Sequence, residues 1–252
     1  MWVSLLASPF RDKARKILAE TGSPIILAID KSYPFSRAAS HELFMELLKL
    51  INSLYGLISG LKIGLPTLLT IGMEGVYRLL NEYDWGLFTI MDLKMADVGH
   101  INRVVAEHIY ELGFDALIAH GFIGYNGGID ALIKYSRESG VGVILVGAMS
   151  HPGSEEALNK WFKYIVDLAI KHDVDGLVLP ATMPEYIKQA REYGYGNLIL
   201  SPGVGPQGAK PGSAIEYGAD FEIIGRLIYM SNNPGVEARR LLEIYGGIHG
   251  PG

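Results

Sequence analysis

Short apolar runs and amphipathic segments alternate along the whole chain. Runs of strand length occupy 24–30, 57–64, 87–94, 116–121, 142–150, 176–181, 198–203 and 221–226, and they close on small, polar or charged residues. Between them the apolar positions step by three and four, which predicts helices over 37–52, 66–81, 101–112, 129–139, 155–172, 184–193 and 234–245. In the fifth of these, Ala157, Leu158, Trp161, Ile165, Leu168 and Ala169 are expected to form one buried stripe. The stretch between the seventh and eighth runs has room for only a single helical turn. A leading helix over 9–20 is marked by Ser8 as N-cap and Pro9 at the first helical position, and it is expected to close the barrel bottom.

Eight strand-and-helix units about 28 residues apart predict an α/β protein, a (β/α)8 TIM barrel with an extra N-terminal helix. A doubly wound parallel sheet is the alternative. No linker or charge run divides the chain, so 1–252 reads as a single barrel domain, with 1–22 as a helical extension and the Gly-rich 246–252 as a flexible tail.

Composition narrows the function classes. Hydrophobic residues make up 49% of the 252 positions and charged residues 19%, which favours a large core over disorder. With no cysteine, disulfides, thiolate nucleophiles and cysteine-ligated metals drop out. A net charge of -5 provides no broad basic face for nucleic acid or an anionic membrane. The opening six residues lack the basic flank and length of a signal peptide, and no apolar stretch is long enough to span a bilayer, so a cytoplasmic protein is expected.

Barrel enzymes carry their reactive groups where strands end, and those positions are charged here. The first run ends in Asp30, the second carries Lys62, and the third ends Met91-Asp92-Leu93-Lys94-Met95-Ala96-Asp97. Side chains two apart on a strand share a face, so Asp92 and Lys94 point the same way. Alone, they also read as an ordinary ion pair at a strand end; with Asp30 and Lys62 they place four charges of balanced sign at one mouth, which suits a reaction that develops or destroys charge. After the seventh run, Ser201-Pro202-Gly203-Val204-Gly205-Pro206-Gln207-Gly208 joins Gly225 and Arg226 of the eighth as a candidate phosphate cradle, with 206–212 as a candidate lid. A turn-rich loop without a ligand is the other reading. Its G-x-G-x-x-G letters lie late in the chain and are broken by Pro206 and Pro211, unlike a dinucleotide fingerprint. Ser150, which closes the fifth run, is either a ligand to a ring or carbonyl or a helix cap. His100, His120 and His151 have no metal-binding spacing, and no metal is assigned.

The chain resembles the orotidine 5'-monophosphate decarboxylase family over nearly its whole length. The resemblance rests on Leu27-Ala28-Ile29-Asp30, Leu61-Lys62-Ile63-Gly64, the D-x-K-x-x-D string Asp92, Lys94, Asp97, then Met149-Ser150-His151-Pro152-Gly153, the 201–208 loop and Ile224-Gly225-Arg226. A sister group of magnesium-dependent sugar-phosphate decarboxylases and synthases shares D-x-K-x-x-D, but is expected to carry Glu where this chain has Lys62. The resemblance implies cofactor-free conversion of orotidine 5'-phosphate to UMP in pyrimidine biosynthesis, with Lys94 stabilising and protonating the carbanion at pyrimidine C6 and Asp92 near the departing carboxylate. It further implies that Asp30 and Lys62 hold ribose hydroxyls, Lys62 being linked to Asp92, that Ser150 meets the pyrimidine, and that Gln207, Gly225 and Arg226 meet the phosphate. Asp97 would reach the neighbouring subunit's site in a homodimer. One position departs: the family's Thr four residues after this Asp is Ile101 here. Two other readings stay open, a Schiff-base aldolase using Lys62 or Lys94 and a phosphate-binding barrel without activity.

Overall fold

A computed structural model of the chain describes residues 8–34 and 36–248. Eight parallel strands, β1 (Ile25–Ile29), β2 (Gly60–Gly64), β3 (Phe88–Met95), β4 (Ala116–His120), β5 (Gly142–Val146), β6 (Gly176–Val178), β7 (Leu198–Pro202) and β8 (Phe221–Ile224), close into a barrel in chain order. The helices are α1 (Pro9–Thr21), α2 (Arg37–Ser53), α3 (Leu65–Asn81), α4 (Gly99–Glu111), α5 (Asp130–Ser139), α6 (Phe162–Lys171), α7 (Glu185–Glu192), α8 (Ser213–Glu216), α9 (Arg226–Tyr229) and α10 (Pro234–Ile248). The strands are buried on both faces, by side chains inside and helices outside, which is why they read as unbroken apolar runs rather than alternating ones. Closure of the sheet in chain order excludes the doubly wound alternative.

The leading helix forms as its signals predict: Pro9 opens it, and the Ser8 hydroxyl accepts the Arg11 N–H at 3.2 Å. Its Phe10 sits edge-on to Phe88, with ring centres 5.9 Å apart, and Phe88 meets Phe221 at 5.1 Å, so three rings from α1, β3 and β8 plug the bottom. Arg11 ties the same helix to Asp173 at 2.8 Å and to Asp175 at 3.2 Å. Positions 1–7 of the extension lie outside the described residues.

Three stretches depart from the sequence pattern. Hydrogen-bonded pairing in β5 and β6 ends several residues before the apolar runs do. The helix expected over 155–172 begins only at Phe162; before it run two short 3-10 turns, Pro152–Ser154 and Leu158–Trp161. Asn159 causes the break, since its side chain accepts the Met149 N–H and donates to the Met149 carbonyl, both at 3.0 Å, pulling the segment back toward the strand end. The stripe is therefore incomplete: Leu158, Ile165, Leu168 and Ala169 are buried, whereas Ala157 and Trp161 are exposed. At the other end α10 runs three residues beyond 245, so Gly246 and Gly247 are helical, while 249–252 of the expected tail lie outside the described residues. Tyr245 anchors this last turn, its hydroxyl donating to the buried Glu222 at 2.5 Å. Burial pushes the Glu222 carboxyl up despite that bond and the N–H groups of Gly212 and Ala214, each 2.9 Å away. No helix among the described residues is long and apolar enough to cross a membrane.

Candidate active site

Strand register assembles the charges. Lys62 is level with Ala28 and Ile90 on its two neighbours, and Asp92 is level with Gly64 and Ile118. The Lys62 ammonium donates to Asp92 Oδ2 at 2.9 Å and to both Asp30 oxygens at 3.3 Å. Lys94 donates to the two Asp92 oxygens at 2.9 and 2.8 Å. One carboxylate thus bridges two ammonium groups. Gly64 makes room for the arrangement, because a Cβ there would stand 1.7 Å from Asp30 Oδ1.

Burial separates the roles open to the two lysines. Lys62 is 4% exposed, and its desolvation disfavours the charged form; Asp92 and Asp30 outweigh that and hold its pKa above the ordinary lysine value. Burial likewise disfavours the Asp92 carboxylate, and Lys62 and Lys94 outweigh it, holding that carboxyl below the usual range. The Lys94 side chain, by contrast, is 42% exposed. Its backbone differs from plain alternation: the ladder between β3 and β4 shifts register between Asp92 and Met95, and Lys94 has φ +49°. A left-handed backbone at a non-glycine residue costs about 1–2 kcal/mol. Such strain persists where surrounding structure holds it, often at reactive sites.

Beside this row a cavity of about 370 Å³ is lined by Asp30, Lys62, Gly203, Gln207, Gly225 and Arg226, among others. The second candidate cluster therefore meets the first at one mouth. Arg226 is exposed, and among the described residues its guanidinium has no carboxylate partner, so it is available to an anion. Gly225 allows close packing beneath it, a Cβ there lying 3.2 Å from the Ala28 carbonyl. The 203–209 turn is held at its base by Ala209 N–H to Gly203 O at 3.1 Å and Gly205 N–H to Ala209 O at 3.0 Å, which leaves Pro206, Gln207 and Gly208 exposed at the tip.

Ser150 and Asp97 stand at the same end of the barrel but do not line that cavity. Ser150 is exposed and caps no helix; the neighbouring Ser154 instead bonds the Met149 and His151 carbonyls, at 2.7 and 2.6 Å. Among the described residues, the exposed Asp97 carboxylate takes only its neighbour's N–H, from Val98 at 2.7 Å. Its backbone is clamped by Asn102, which accepts the Asp97 N–H at 3.3 Å and donates to its carbonyl at 2.6 Å. Sequence reasoning missed this buried clamp, whose signal is an amide five residues after the acid in the first turn of α4. It also missed two buried polar atoms without a hydrogen-bond partner among the described residues, His120 Nδ1 at the end of β4 and Thr182 Oγ1 four residues after β6.

The model of the orotidine 5'-phosphate decarboxylase / HUMPS family matches residues 23–241. The chain belongs to that family. It is 38% identical to the orotidine 5'-phosphate decarboxylase of Aeropyrum pernix over 227 residues, 90% of each chain. Among solved structures it is similar to orotidine 5'-monophosphate decarboxylase from Sulfolobus solfataricus, with TM-score 0.74 and 34% identity over 89% of this chain and 98% of that one. It is also similar to the Methanocaldococcus jannaschii enzyme complexed with the inhibitor BMP, with TM-score 0.78 and 28% identity over 88% and 98%. Membership of the orotidine 5'-phosphate decarboxylase / HUMPS family makes this chain an enzyme of the decarboxylase class, and the TIM barrel is the fold it shares with those relatives.

Proposed function

We propose that this chain converts orotidine 5'-phosphate to UMP and carbon dioxide without a metal or organic cofactor, as a single-domain cytoplasmic enzyme of pyrimidine biosynthesis. The observation that carries the reading is the Lys62–Asp92–Lys94 row at the lip of a cavity that holds Gln207 and Arg226. Loss of carbon dioxide leaves an electron pair on ring carbon C6 with no carbonyl placed to accept it, so a fixed neighbouring cation lowers the barrier most. Lys94 supplies that cation and then its proton: the N–H bond breaks as the C6–H bond forms, and the amine regains a proton from water. Asp92 stands where the substrate carboxylate departs, and its repulsion is a secondary contribution. Asp30 and Lys62 hold ribose hydroxyls, Ser150 the pyrimidine, and Gln207, Arg226 and the Gly225 backbone the phosphate. Phosphate contacts remote from C6 aid the chemical step when their binding energy closes the 206–212 loop.

The reading includes a homodimer in which Asp97 enters the partner's site. Two observations support it: Asp97 has no cation of its own chain among the described residues, and apolar side chains beside it, Val98 and Ile101, are exposed. Ultraviolet assay of orotidine 5'-phosphate turnover tests the activity. Turnover is expected to persist in excess chelator; loss of activity in chelator, restored by magnesium, would instead favour the metal-dependent branch. Mixing inactive Asp97→Ala and Lys94→Ala chains is expected to restore part of the activity, because random exchange creates one site per hybrid dimer with both residues intact. Absence of recovery, with subunit exchange verified by mass, would rule out the shared site.

A further inference from the structure

His120 ends β4, and the register fixes the direction of its side chain. Asp92 of β3 is level with Ile118, and positions two apart on a strand share a face, so His120 looks into the barrel mouth on the side that Asp92 occupies. Its β5 neighbour is Val146, and the Phe122 ring lies 4.8 Å away; neither titrates. The charged groups acting on the imidazole are Lys94 and Asp92, both from β3. Its Nδ1 is buried and has no hydrogen-bond partner among the described residues. A buried acceptor left unpaired is costly and calls for a physical account.

Lys94 supplies one. Its ammonium has three N–H groups, and its only hydrogen-bond partner among the described residues is the Asp92 carboxylate. Once a negatively charged substrate approaches, its attraction competes with that of Asp92 for the ammonium, and in the free chain no hydrogen-bond partner among the described residues other than Asp92 fixes where a turned ammonium points. We propose that His120 is a positioning residue for Lys94: with its proton on Nε2, it accepts an ammonium N–H at Nδ1 and thereby directs another N–H toward the reacting carbon. This inference rests on the decarboxylase reading above. The imidazole suits the role because burial and Lys94 lower its pKa, against the opposing pull of Asp92, so it is neutral at neutral pH. Protonation in acid removes the acceptor and sets a second cation beside the first.

Steady-state rates against pH for wild type, His120→Leu and His120→Asn test the proposal, together with nuclear magnetic resonance titration of His120 in the substrate-free enzyme. His120→Leu is expected to lower kcat about tenfold, the loss of one hydrogen bond to a charged group, with KM changed less than about twofold. His120→Asn places an amide oxygen near the Nδ1 position and is expected to keep kcat within about threefold while losing the wild-type acid limb. In the titration, Lys94→Ala is expected to raise the His120 pKa, a readout that needs no turnover. A His120 titration unmoved by Lys94→Ala, or an acid limb that survives in His120→Asn, would overturn the positioning role. A wild-type chain inert toward orotidine 5'-phosphate would instead overturn the decarboxylase reading and leave the imidazole–ammonium coupling to be judged by the titration.

Discussion

Lys94→Ala is expected to lower kcat about 10⁴-fold while the chain keeps its fold. Two effects act at once: the variant loses the charge beside C6 and the acid that protonates it, and each such contribution is worth roughly 10² to 10⁴. They share one nitrogen, so they do not multiply freely. KM is expected to move far less, since Arg226 and Gln207, which line the cavity proposed to take the phosphate, are untouched. The fold is expected to persist because the Lys94 side chain is 42% exposed and Asp92 keeps Lys62 at 2.9 Å. Lys94→Arg separates the two effects: guanidinium retains the charge but does not release its proton at neutral pH. Recovery of part of the rate in Lys94→Arg would assign that part to charge stabilisation alone. The checks are single-turnover ultraviolet kinetics and thermal melts of all three proteins. A Lys94→Ala enzyme within about tenfold of wild type would remove the mechanism.

Much of this site is legible in the amino-acid sequence, for a physical reason. Parallel strands in a covered barrel are apolar throughout, so charged residues at their ends stand out, and the barrel topology then sends Asp30, Lys62, Asp92 and Arg226 to one rim. What sequence did not reveal depends on which remote backbone comes near. Asn102 matters because it clamps Asp97, and Glu222 because Gly212, Ala214 and Tyr245 converge on it. The left-handed turn at Lys94 is hidden for the same reason: period-two alternation describes a regular strand, and a bulge breaks it. The stretch 155–161 misled because apolar spacing reports a possible helical face but carries no information about Asn159 binding back to Met149. Similarly, apolar residues beyond β5 and β6 record burial, which continues after strand pairing ends.

The second large effect falls on stability. Asp92→Ala is expected to destabilise the chain by about 3–5 kcal/mol, because it leaves the Lys62 ammonium almost wholly buried with only the half-exposed Asp30 at 3.3 Å. For a chain of this size that lowers the melting temperature by roughly 10 °C. Its pH dependence has a definite sign. Asp92 titrates below the ordinary aspartate range, so its contribution is present above that range and disappears as pH falls through the depressed value. Lys62 titrates above the ordinary lysine value, so its contribution is present below that value and disappears as pH rises through the raised one. The difference between wild type and Asp92→Ala is therefore expected to be level across neutral pH and to shrink in strong acid, as calorimetric melts at several pH values will record. Equal melting temperatures at neutral pH, or a gap unchanged in acid, would contradict the assignment. Adding Lys62→Met to Asp92→Ala is expected to restore part of the lost stability, since an apolar side chain removes the stranded charge. Such recovery in a protein without activity would mean that apolar residues hold this mouth together adequately, and that the buried charges are retained for the reaction they perform.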